Sequence, residues 1–134
     1  MKPTLIDTDI LSLFFRNHPV VVNRFAEYAR EHRALNLSII TYYEVLSGLL
    51  HRDARRQLES FRSFVEFNRM LPLSESAASI AAQMYAETRK VGQPVDDIDI
   101  LIAGIAVANG MAVATRNSSH FGQIPGVIVE DWSV

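Results

Sequence analysis

The chain has 134 residues, of which 49% are hydrophobic, and this is enough for the buried core of one domain. It contains no cysteine, which excludes disulfide bonds and thiolate metal sites, and its net charge of −2 is not that of a generally basic nucleic-acid-binding protein. No apolar run approaches the ~20 residues of a membrane-spanning helix, and the first residues lack a secretory pattern, so we expect a cytoplasmic protein.

Short apolar runs alternate along the chain with longer segments of helical periodicity. In chain order the sequence predicts a strand over 3–7, helices over 8–15 and 20–31, a strand over 34–40, helices over 41–50 and 53–68, a strand over 70–73, helices over 76–90 and 98–108, and strands over 111–115 and 127–129. Residues 116–126 are predicted to form a polar loop. This alternation is typical of an α/β fold with a mostly parallel sheet.

Polar residues at the predicted helix starts suggest particular caps. Thr8 or Asp9 is expected to cap the first helix, and Asp53 the helix that runs to about residue 68. Thr41 and Glu44 have the spacing of a capping box, in which the two side chains satisfy each other's backbone N–H groups. If Asp9 is the cap, Asp7 has no structural role of its own.

Three acidic residues lie where an apolar run gives way to a helix: Asp7, Glu44 and Asp99. Strand ends and helix starts lie along one edge of an open parallel sheet, and ligands bind at that edge. Carboxylates that meet there repel each other unless a cation lies between them, and oxygen-rich sites favour a hard cation such as Mg²⁺. The pattern therefore predicts metal-assisted chemistry on a phosphate, although for Glu44 the capping box is an equally good explanation.

Further polar residues fall at the same predicted edge. Asp96 and Asp97 precede Asp99, and together they exceed what one helix cap needs, so at least one is expected to be a ligand, with Asp99 the best placed. Asn117 follows the strand over 111–115 and is a candidate contact for a metal-bound water or a phosphate. His120 is either an acid or base near pH 7 or an ordinary loop residue.

Several arginines fall in one central segment: Arg52, Arg55, Arg56, Arg62 and Arg69. A basic surface beside an acidic pocket suits a polyanion held at its reacting phosphate. The alternative explanation is a solvated helix, since the pairs Arg55/Glu59 and Arg62/Glu66 have i,i+4 spacing.

The order of these motifs resembles the PIN-domain ribonucleases of the VapC toxin family over nearly the whole chain. The resemblance rests on five segments of sequence: Leu-Ile-Asp-Thr-Asp-Ile-Leu at 5–11, Ser-Ile-Ile-Thr-Tyr-Tyr-Glu at 38–44, Asp-Ile-Leu-Ile-Ala-Gly at 99–104, Ala-Thr-Arg-Asn at 114–117 with Phe121, and Glu-Asp-Trp at 130–132. It implies a single PIN domain over 1–134, built as a three-layer α/β/α sandwich.

The resemblance also implies a function and partners. It implies an RNA endonuclease that uses Mg²⁺ or Mn²⁺ to activate water, with Asp7, Glu44 and Asp99 at the family's three acidic positions. Asn117 falls at a fourth polar position, and His120 stands where the family often has another acid. The family further implies a homodimer that acts as a toxin and is blocked by a cognate VapB-like antitoxin.

Two other functions fit parts of the sequence. The segment Leu-Ile-Asp-Thr-Asp also resembles phosphohydrolases of the haloacid dehalogenase class, in which Asp7 would be the nucleophile, but this gives Glu44 no role. Alternatively, the acids are only caps, and the protein is an inactive module that binds RNA or a partner protein.

Overall fold

Five short strands form one sheet in the computed structural model, which describes residues 1–134. The strands are β1 (Thr4–Ile6), β2 (Asn36–Ser38), β3 (Arg69–Leu71), β4 (Ala112–Ala114) and β5 (Val129–Glu130). Their order across the sheet is β3-β2-β1-β4-β5, and all four pairings are parallel. The predicted α/β class is confirmed, and the sheet is wholly rather than mostly parallel.

Seven helices connect the strands. They are α1 (Thr8–Phe15), α2 (Pro19–His32), α3 (Ile39–His51), α4 (Arg55–Glu66), α5 (Glu75–Lys90), α6 (Asp97–Ala108) and α7 (Ser118–Phe121). The short helix α7 lies inside the segment that was predicted to be a loop, and β5 begins two residues later than predicted. Phe121 is completely buried, so one apolar side chain anchors a stretch that is otherwise polar.

The predicted helix caps are wrong at three places. Asp7, not Thr8 or Asp9, caps α1, because its Oδ1 accepts a hydrogen bond of 2.8 Å from the Thr8 N–H. Ser38, the last residue of β2, caps α3 by accepting from the Thr41 N–H, so Thr41 and Glu44 form no capping box. At α4 the N-cap is Ala54, and Asp53 instead occupies the left-handed region with φ 52°.

The helices cover both faces of the sheet. Leu5 and Ile6 are neighbours in β1 and point to opposite faces, since side chains alternate along a strand. Leu5 belongs to a core with α5 and α6, whereas Ile6 belongs to a second core with α1, α2 and Phe61 of α4. The result is the three-layer α/β/α arrangement that the family resemblance implied.

The sheet reverses its winding direction beside its central strand. From β1 the chain proceeds to β2 and β3 on one side, and then crosses to β4 and β5 on the other. A crevice therefore opens between the carboxyl ends of β1 and β4, and in open α/β sheets such a crevice is where ligands bind. Asp7 follows β1 at this point, and its N–H donates to the Ala114 carbonyl at 2.9 Å.

Candidate active site

Asp7 lies at the centre of the crevice and is buried, with 6% of its surface exposed. One carboxylate oxygen accepts from the Thr8 N–H, and the other accepts from the Thr115 hydroxyl at 2.8 Å. Burial, and after it the negative charge of Asp9, raises the pKa of Asp7 to about 7. Asp7 is thus both a helix cap and a carboxyl group whose charge the protein disfavours.

Asp9 belongs to the same site, although from the sequence it was considered a helix cap and was not counted among the three acids predicted to bind the metal. Its carboxylate accepts a hydrogen bond of 3.1 Å from the Arg116 N–H and lies 3.4 Å from the Thr115 hydroxyl. Burial raises the pKa of Asp9 as well. The signal was the second acid of Asp-Thr-Asp, because two carboxylates so near one strand end share the same crevice.

Thr115 connects the two carboxylates. Its hydroxyl oxygen accepts a hydrogen bond of 2.9 Å from the Asn117 N–H, so its own hydrogen is free to be donated to Asp7. The side chain is completely buried at the end of β4. Thr115 therefore fixes the orientation of the Asp7 carboxylate from the opposite wall of the crevice.

Glu44 reaches the site from the second turn of α3. Its Oε1 accepts a hydrogen bond of 2.6 Å from the Thr8 hydroxyl, which also lies 3.1 Å from the Thr41 hydroxyl. Because Ser38 already caps α3, Glu44 has no capping role. The alternative that the sequence left open for Glu44 is therefore wrong, and this carboxylate is available for another task.

Asp99 enters from the first turn of α6 and faces inward, with 16% of its side chain exposed. Burial, followed by the charge of Asp96, raises its pKa, and the charges of Glu44 and Asp9 act in the same direction. Asp96 itself caps α6 through the Ile98 N–H at 2.8 Å and is exposed. The structure thus explains Asp96 as a cap and brings Asp99 into the electrostatic range of the other acids.

Asn117 and His120 lie together at the rim. The Asn117 side-chain nitrogen is 2.9 Å from Nδ1 of His120, and that Nδ1 is 3.9 Å from the nearer carboxylate oxygen of Asp99. His120 is mostly exposed. The Asn117 side chain contacts the His120 ring rather than a carboxylate.

The carboxylate oxygens of these acids suit a hard divalent cation, although they do not surround a common point. No group of three His, Asp or Glu side chains lies close enough together to bind one ion. However, Asp7, Asp9, Glu44 and Asp99 have no Lys or Arg salt bridge within 4.0 Å. Besides burial, the charge of Asp9 raises the pKa of Asp7, and the charges of Glu44 and Asp9 contribute to raising the pKa of Asp99, so a cation among these acids would remove an unfavourable interaction.

The PIN-domain family matches residues 4–126 of this sequence. A relative from Salmonella typhimurium, the tRNA(fMet)-specific endonuclease VapC, is 32% identical and covers 98% of this chain and 99% of its own length. The protein of the same name from Shigella flexneri is 28% identical over 99% of this chain and 100% of its own. The chain belongs to the VapC ribonucleases of the PIN-domain family.

Structural comparison supports the same family. The crystal structure of DNA-bound VapBC from Salmonella typhimurium contains a chain that superposes with a TM-score of 0.88 at 30% identity, covering 98% of this chain and 99% of that one. The resemblance drawn from the sequence is thereby confirmed for fold and family. The family assignment gives no support to the haloacid-dehalogenase alternative. None of the helices is long and apolar enough to cross a lipid bilayer.

Proposed function

We propose that this protein hydrolyses phosphodiester bonds within RNA, using a divalent cation held by Asp7, Glu44 and Asp99. The observation that supports this most directly is the group of carboxylates without a Lys or Arg salt bridge, located where the sheet of a VapC-family protein reverses direction. A bound Mg²⁺ or Mn²⁺ would activate water and neutralise charge on the reacting phosphate.

Neighbouring side chains orient the carboxylates of this site and add to its negative charge. Thr115 holds the Asp7 carboxylate, and the negative charge of Asp9 opposes ionisation of Asp7, a repulsion that a bound cation would offset. The Thr8 hydroxyl donates a hydrogen bond to Glu44, and this bond connects α1 to α3 at the site. No side chain has to form a covalent bond with the substrate, because water is the nucleophile.

We further propose that the protein is the toxin of a toxin–antitoxin pair and works as a homodimer with a VapB-like antitoxin. The support is that solved relatives are VapBC complexes, one of them described as a member of the VapBC family of toxin–antitoxin systems. The Salmonella relative's name makes tRNA(fMet) the first RNA to test as a substrate.

The function is tested by replacing Asp7 with Asn. Asn keeps the shape and can still cap α1, but it removes the charge that would bind the cation. We expect RNA cleavage to fall by at least ~100-fold, as for the loss of a single electrostatic stabiliser in other enzymes. The measurement is cleavage of tRNA(fMet) and of total RNA with Mg²⁺ or Mn²⁺, and with EDTA.

Asp53→Asn is the matched control, because it makes the same chemical change at an exposed turn where φ is positive and Asn is well tolerated. We expect it to cleave at the normal rate. If the Asp7→Asn variant cleaves RNA as fast as the unaltered protein, Asp7 is not part of the catalytic site. RNA binding without any cleavage, in every metal tried, would favour the inactive binding module instead.

A further inference from the structure

A cleft of about 560 Å³ adjoins the carboxylates and is lined by α1, α3 and α4. Thr8 and Glu44 line it together with three arginines, Arg16, Arg52 and Arg56, and we call this surface the arginine groove. The volume falls within the ~300–1,000 Å³ that is usual for ligand sites. The groove therefore extends the acid site rather than forming a separate pocket.

The three guanidinium groups of the arginine groove lack acidic partners. None of them forms a salt bridge within 4.0 Å, and all three residues are exposed. Glu44 is the only acid that lines the cleft, so the groove carries a surplus of positive charge. Free guanidinium groups match phosphate oxygens in geometry as well as in charge.

Two features of the local backbone contribute to the positive charge of the arginine groove. Gly48 lies beneath Arg52, since a Cβ at position 48 would be only 3.3 Å from the Arg52 Nη1 atom. Arg56 lies in the first turn of α4, which has no side-chain cap, so backbone N–H groups of that turn add positive potential. The remaining walls combine hydroxyl and amide groups with the apolar Leu49 and Phe61.

We propose that the arginine groove binds the RNA backbone next to the cleaved bond, with Arg16, Arg52 and Arg56 contacting successive phosphates. This inference rests on the proposed nuclease function and deepens it, because it states which side of the carboxylates the substrate strand follows. The carboxylates repel RNA when no cation is bound, so the groove supplies the attraction that the acid site lacks. These arginines are positioning residues and have no role in the chemical step.

The test compares two double variants of equal charge. Arg52→Gln with Arg56→Gln removes two groove arginines, whereas Arg55→Gln with Arg62→Gln removes two exposed arginines from α4 that do not line the cleft. Binding of a fluorescein-labelled single-stranded RNA is followed by anisotropy, with EDTA present to prevent hydrolysis. We expect the groove pair to weaken binding by roughly tenfold and the control pair to have little effect.

Three further measurements separate phosphate contacts from a general loss of charge. For the groove pair, the slope of log K against log salt concentration should become shallower by roughly 1.4, which is ~0.7 for each lost phosphate contact on a single strand. In cleavage assays with metal, KM should rise while kcat stays unchanged. Arg52→Lys with Arg56→Lys should recover part of the affinity.

The proposal is overturned if both double variants lose affinity equally, or if neither does. It is also overturned if the groove pair instead loses binding to an oligo-glutamate peptide while its RNA affinity is unchanged, which would assign the groove to a protein partner. If the unaltered protein binds RNA through the groove but never cleaves it, the nuclease proposal fails and the groove proposal stands.

Discussion

At the scale of single residues, Asp7 shows how one position can serve structure and function together. From the sequence alone these two roles are alternatives, because Asp9 offers another cap for α1. In the structure one oxygen of Asp7 caps α1 and the other faces Thr115 across the crevice. A carboxylate has two oxygens, so capping does not exclude Asp7 from the site.

The raised pKa of Asp7 predicts how the stability of the metal-free protein depends on pH. The pKa is about 7 in the folded state and 3.8 in the reference state, so between these values the folded protein binds more protons. Stability must therefore fall as pH rises through this window and level off above pH 7. Asp9 and Asp99 are shifted in the same direction and add to the fall.

We expect Asp7→Asn to reduce this dependence. Between pH 5 and pH 8 the unfolding free energy of the unaltered protein should fall more than that of Asp7→Asn. The difference between the two falls should be on the order of 2–3 kcal/mol. Urea unfolding in EDTA at the two pH values measures the difference. Identical pH profiles for the two proteins would show that the Asp7 carboxyl is not destabilised by burial.

At the scale of elements, the sequence allowed most strands and helices to be predicted, because their apolar periodicity is strong. The starts of the helices were harder to predict from the sequence. Ser38 is the last residue of β2 and also the N-cap of α3, but the apolar run continues through residues 39 and 40, so the sequence predicted that the strand ends at residue 40. Helix α7 was missed because a helix of four residues has no measurable periodicity.

Close packing between α5 and α6 predicts that replacing Gly104 with a larger residue destabilises the protein. A Cβ at this position would lie 2.6 Å from the Ala77 carbonyl oxygen and 2.9 Å from the Ala81 Cβ, so two helix backbones would have to separate. We expect Gly104→Ala to lower the unfolding free energy by about 1–3 kcal/mol. Thermal and urea unfolding provide the measurement.

Gly48→Ala is the matched control, since Gly48 also lies within a helix but meets only the end of the flexible Arg52 side chain. There the better helix propensity of Ala should dominate and raise stability by up to ~1 kcal/mol. A Gly104→Ala variant as stable as the unaltered protein would contradict the close helix packing.

At the scale of the whole molecule, the topology of the sheet brings together residues that are far apart in sequence. Asp7 and Thr115 are separated by most of the chain, yet β1 and β4 are neighbours and their ends face one crevice. The sequence allowed the sheet edge to be predicted, but it could not show which side chains would touch. It also could not show that Arg16, which follows α1, joins Arg52 and Arg56 beside Glu44.

The central claim is that Asp7, Glu44 and Asp99 hold one catalytic cation in common. It is tested most directly by calorimetric titration of Mn²⁺ into the unaltered protein and into the Asp7→Asn, Glu44→Gln, Asp99→Asn and Asp53→Asn variants at pH 8. We predict that the unaltered protein and Asp53→Asn bind Mn²⁺ alike and that each of the other three variants binds it much more weakly. Equal Mn²⁺ affinity in all five proteins would contradict the claim.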